Sequence, residues 1–108
     1  MMEDFMDYQN VYDAIMKRAS NRNIRGYTEK HHIIPDFMFI KSKRNHRYKK
    51  VAIYAGDPND STNIVKLTPK EHILSHMLLY KIYKGTVFES ACANSLNIML
   101  VTKGNRIN

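Results

Sequence analysis

From Asp7 to about Arg22 the apolar side chains fall at Tyr8, Val11, Tyr12, Ile15 and Ala19. That three-and-four spacing lines one stripe of a helix, so the pattern predicts an amphipathic helix over residues 7–22. The stripe lapses into a loop closed by Gly26, and residues 27–34 then carry β-branched side chains up to Pro35. Proline cannot donate to a ladder, so a short strand is expected to stop there, with His31 and His32 at its end. Two further apolar runs, Val51–Ala55 and Ile64–Leu67, read as strands, the second turning Ile64 or Val65 inward. Gly56, Asp57, Pro58 and Asn59 supply a turn between them.

The period changes at Thr68. A hydroxyl N-cap, Pro69 at the first helical position and Glu71 at the third make a complete helix start. This helix is expected to run to about Tyr83, with Ile73, Met77 and Tyr80 or Lys81 on one side and Leu74, Leu78 and Ile82 beside them, closed by Lys84 and Gly85. Thr86 and Glu89 repeat the capping pattern. Phe88, Ala91, Cys92, Ser95, Leu96 and Met99 then form the stripe of a third helix over about 86–103, ending near Gly104, with Asn105–Asn108 expected to fray. Two or three short strands among three helices make an α+β fold, and 108 residues suit a single domain over 1–108.

A hydrophobic fraction of 44% and a charged fraction of 25% argue for a folded chain rather than a disordered one. Cys92 is the only cysteine, which excludes an intramolecular disulfide and points to a reducing, cytoplasmic setting. The acidic start and the lack of a long apolar run give no sign of a signal peptide or of a membrane partner. The net charge of +7 is unevenly placed: residues 1–16 hold four acids and no base, whereas 17–50 hold eleven Lys or Arg against Glu29 and Asp36. A field of that sign attracts polyanions and gains from counterion release, which makes nucleic acid the expected partner. Lys41, Lys43, Arg44, Arg47, Lys49 and Lys50 are the candidate DNA-binding residues.

Four of the five histidines sit in two clusters, His31 with His32 and His72 with His76. On a helix the i, i+4 pair stacks on one face, with Cβ atoms about 6 Å apart. Imidazoles at a strand end and on such a helix can converge on one divalent cation, leaving one ring for a water molecule. Adjacent strand residues point to opposite faces, so His31 and His32 cannot duplicate one another. Asp36 and Asp60 have no clear claim as ligands, and Glu71 is accounted for by the helix cap.

The stretch YQNVYDAIMKRASNR, the segment YTEKHHIIP and the stretch NIVKLTPKEHILSHMLLYKIY together resemble small phage-encoded HNH endonucleases, including homing-type ones, over roughly residues 7–84. Asn63 precedes His72 by nine positions and His76 by thirteen, a spacing shared with the DNase colicins. The resemblance implies a ββα-metal (HNH) core at about 27–84, flanked by the N-terminal and C-terminal helices. It implies that His31, His72 and His76 are ligands of one divalent metal ion and that His32 is the general base. It also implies that the Asn63 side chain pins the loop and helps orient His32.

The activity so implied is metal-dependent hydrolysis of DNA phosphodiester bonds, either nicking or, through a homodimer, cutting both strands, in the cytoplasm of a phage host. Three imidazoles suit Zn²⁺, Ni²⁺ or Co²⁺ better than Mg²⁺, with Mn²⁺ also among the candidates. The chain departs from the family where a glycine pair usually follows the proline: Asp36-Phe37-Met38-Phe39 stands there, and the gap to Asn63 is long and basic. His46, within that gap, reads as a surface or phosphate contact. Tyr48 and Tyr54 are candidates for the DNA backbone, whereas helix-spaced Tyr8, Tyr12 and Tyr80 read as core. The chief alternative is a catalytically inactive HNH-derived module, stapled by its metal, that binds nucleic acid or protein. A metal-free basic adaptor is the third reading.

Overall fold

The computed structural model describes residues 7–43 and 48–107. Arg44, His46 and Arg47 therefore lie outside the described residues. The elements in chain order are helix α1 (Tyr8–Asn21), strand β1 (Glu29–His32), strand β2 (Ile64–Leu67), helix α2 (Pro69–Tyr83) and helix α3 (Glu89–Ile107), with 3₁₀ turns at Asp36–Met38 and Ser61–Asn63. β1 and β2 pair antiparallel, Glu29 opposite Leu67 and His32 opposite Ile64. Followed by α2, they make the ββα unit, and α1 and α3 pack against it. No helix among the described residues is long and apolar enough to cross a membrane.

α1 opens on Asp7, whose side chain accepts a hydrogen bond from the Asn10 N–H at 3.0 Å. It buries Tyr12, Ile15, Met16 and Ala19, while Val11 is 39% exposed. The predicted stripe is thus rotated slightly toward Met16. Its partners in the main core are Val65 and Leu67 of β2, Leu78 and Leu79 of α2, and Cys92 of α3. Burial raises the Cys92 thiol to about 11, so it behaves as a small apolar side chain.

α2 begins as its sequence requires, with both arms of the Thr68–Glu71 capping box formed. Glu71 also receives the Arg22 guanidinium through both terminal nitrogens, which ties the end of α1 to the start of α2. The Arg22 hydrogen bonds hold the Glu71 carboxyl down at about 2. A depressed native value means stability that is present above the unfolded carboxylate range, near ~4.5, and is lost as pH falls toward 2. Glu71→Gln keeps the capping geometry but not the charge. Its melting temperature is expected to lie below wild type at neutral pH and to converge with it near pH 2, read from thermal unfolding across that range.

Two expectations are corrected here, the strand at 51–55 and the exposure of Tyr48, and the structure alone chooses the buried face of α2. The inward face of α2 is His72, Ser75, Leu78 and Leu79, whereas Leu74 and Met77 are 44% and 47% exposed. Apolar residues surround this helix, so periodicity alone does not choose the face that α1, the ladder and α3 cover. Residues 51–55 do not form a strand. Only an isolated parallel bridge joins Tyr54 to Phe39, and the Ile53 and Tyr54 N–H groups both donate to the Met38 carbonyl. Among the described residues no strand pairs with this run beyond that bridge, and Ile53 is left 66% exposed.

Tyr48, read above as a candidate for the DNA backbone, is placed in the core. It is buried in a second cluster with Met38, Phe88 and Ala91, its ring 5.6 Å from Phe37 and 5.9 Å from Phe88. Tyr54 packs on the same cluster. α3 follows the predicted stripe through Ala91, Cys92 and Met99, with Phe88 buried just before it, and its backbone continues past Gly104 to Ile107.

Candidate functional site

Strand alternation sends Glu29 and His31 of β1 into the protein and Lys30 and His32 outward. α2 crosses the inner face and brings His72 and His76 to His31. The three ring centroids stand 5.0–5.1 Å apart, and one potential ligand nitrogen from each ring lies within 4.8 Å of the others. His31 and His72 are buried and His76 is half-buried. Burial, reinforced by the His76, His72 and His32 rings, pushes His31 down to about 2, so this imidazole is neutral with a lone pair available. Three imidazoles at such spacing, with no fourth protein ligand in the cluster among the described residues, fit a divalent cation that keeps an open position.

Two buried side chains define which nitrogens face inward. Glu29 Oε1 accepts from His72 Nδ1 at 2.9 Å, so a metal held by His72 would take Nε2. The Tyr12 hydroxyl donates its single proton to the Ile33 carbonyl at 2.6 Å, and at 2.7 Å its oxygen therefore accepts from His31 Nε2–H. His31 would then offer Nδ1. Burial holds Tyr12 well above the ordinary phenol range, so it remains a hydroxyl.

His32 is half-buried on the opposite face of β1, with Nε2 2.8 Å from Asn59 Oδ1. Asn63 is buried and fully engaged: Oδ1 accepts from the Ile34 N–H at 2.8 Å, and Nδ2 donates to the carbonyls of Ile34 and Pro58. The Asn63 carbonyl also accepts from the Ile33 N–H at 2.8 Å. Asn63 thus clamps the chain after His32 to the 57–63 loop and reaches His32 through the backbone, while Asn59 touches the ring itself.

All four histidines line one cleft of about 730 Å³, whose far wall is α3 through Asn94, Ser95 and Ile98. Asn59 also borders a second cleft of about 460 Å³ lined by Lys41 and Lys43. Lys50 is exposed, and Lys49 donates to the Ile40 carbonyl at 2.6 Å. Glu29, Tyr12 and Asn59 escape a reading of the sequence. Glu29 does share the alternating face of His31, and a helix-face tyrosine needs a partner for its hydroxyl, but nothing local names the partner.

No family model and no solved structure matches the chain at a significant level. Curated relatives do. "Probable mobile endonuclease B" of Enterobacteria phage T4 is 37% identical over 84 residues, 73% of this chain and 25% of the relative. "Probable mobile endonuclease E" of the same phage is 35% identical over 86 residues, 77% of this chain and 49% of the relative. An "Uncharacterized 38.5 kDa protein in psbA intron 1" of Chlamydomonas moewusii is 34% identical over 79 residues, 72% of this chain and 18% of the relative. The chain thus spans at most about half the length of these relatives. These matches make the chain a relative of phage-type mobile endonucleases, and its α+β fold, with three histidines clustered on the ββα unit, agrees with the ββα-metal core that its sequence resembles.

Proposed function

We propose that residues 1–108 act as a metal-dependent HNH endonuclease domain that hydrolyses DNA phosphodiester bonds, with His31, His72 and His76 as ligands of one divalent cation and His32 as general base. The observation that carries this reading is the meeting of three imidazoles from β1 and α2 beside a fourth that stands on the other face of β1 and lines the same cleft. The nuclease activity named for the phage relatives supports the same class here. Such an enzyme would work in the host cytoplasm.

A bound cation would stabilise charge developing on the phosphate and on the leaving oxygen. The protein's own groups do the rest. His32, with Nε2 engaged by Asn59, turns Nδ1 to a water and takes its proton. Asn63 holds the backbone behind that ring, and Glu29 and Tyr12 keep the His72 and His31 rings in orientation and tautomer. Lys41, Lys43, Lys49 and Lys50, with Arg44 and Arg47, would contact the DNA backbone. Nitrogen donors favour Zn²⁺ or Ni²⁺, with Mn²⁺ and Mg²⁺ matched less well.

Purified protein is expected to nick supercoiled plasmid when supplied with one of Zn²⁺, Ni²⁺, Mn²⁺ or Mg²⁺, and to stop under chelation. Inertness across that panel, with metal still bound, would replace this reading with the metal-stapled binding module.

A further inference from the structure

The outward face of the β1–β2 ladder carries an arrangement that folding alone does not favour. Lys30 and Lys66 are direct cross-strand partners, and both are exposed. Like charges directly opposed in an antiparallel pair destabilise it. Among the described residues no carboxylate pairs with either ammonium group: the ion pairs fall on Arg18, Arg22 and His72. By alternation, Lys30 shares its face with His32, and Lys66 shares it with Ile64, the partner of His32. Lys30, His32 and Ile64 all line the large cleft. Same-face neighbours on a strand stand about 7 Å apart, on the scale of neighbouring phosphates along one nucleic-acid strand.

We propose that Lys30 and Lys66 form a phosphate clamp on the open face of the ladder, gripping the DNA backbone beside the phosphate that His32 addresses. The assignment rests on the nuclease reading above and extends it, because it adds a contact surface apart from the basic segment at residues 41–50. An anion between the two ammonium groups removes the repulsion that the empty ladder carries. Contacts of this kind position the duplex without reading its sequence.

The test compares the full chain as purified with two double variants, on a short duplex carrying hydrolysis-resistant phosphorothioate linkages. Lys30→Gln/Lys66→Gln removes the clamp, and Lys81→Gln/Lys84→Gln removes the same charge at the far end of α2. Binding is measured by anisotropy from 50 to 300 mM salt, and thermal unfolding is followed in parallel. For the clamp variant, the slope of log K against log salt is expected to shrink by about 1.8, at about 0.9 per lost phosphate contact, with affinity about tenfold or more weaker at low salt. Its melting temperature is expected to match or exceed wild type, because a repulsive pair is gone. The α2 variant is expected to keep the wild-type slope.

A clamp variant that binds like wild type, or that loses no more than the α2 variant, overturns the clamp and leaves the nuclease reading standing. So does a lower melting temperature, which would make the lysines structural. Wild-type protein that neither binds the duplex nor nicks plasmid overturns both.

Discussion

His32→Ala is expected to abolish plasmid nicking, a loss of at least about 10²–10⁴ in rate, while metal binding stays at the wild-type level. The split follows from the two faces of β1. His31 points into the protein toward His72 and His76, whereas His32 stands on the open face with Asn59. Truncating a ring on the open face leaves the inward donor set untouched. Nicking from plasmid gels and metal affinity from calorimetry, read on the same preparation, check the two halves separately. A variant that still nicks would remove His32 from the reaction, and one that loses metal as well would move it into the donor set.

His72→Ala is expected to cost more than activity. It removes one of three clustered nitrogens, so metal affinity should fall beyond detection, and nicking should fall with it. It also removes the group that donates to the buried Glu29 carboxylate at 2.9 Å. Glu29 keeps the Tyr27 hydroxyl on Oε2, so the cost to the metal-free protein is that of one buried hydrogen bond, about 1–3 kcal/mol, seen as a lower melting temperature. Glu29→Gln separates the two effects, because it keeps shape and volume but withdraws the negative partner. It should lower metal affinity by about 10–100-fold at a smaller cost in stability. Unchanged affinity in Glu29→Gln would show that the carboxylate only fills space.

Both expectations depend on contacts that differ in how far they can be read from sequence. The starts of α1 and α2 are legible because a helix cap is satisfied within three or four residues: Asp7 serves Asn10, and Thr68 and Glu71 serve each other. The opposed faces of His31 and His32 are equally local, since strand alternation needs no partner. The i, i+4 pair at His72 and His76 is fixed by helix geometry alone. By the same logic the run at 51–55 misleads. Its β-branched residues describe a strand, but a strand exists only when another pairs with it, and there the chain meets a single bridge at Phe39.

The amino-acid order by itself therefore determined the helices, the short ladder, and which histidines could meet. Tertiary structure alone decided what holds them: Tyr12 to His31 across 19 positions, Asn59 to His32 across 27, and Glu29 to His72 across 43. The division is physical. Caps, alternation and helical pitch act over a few residues and leave a periodic trace, whereas a buried hydrogen bond between distant segments obeys only the packing that brings its two ends together.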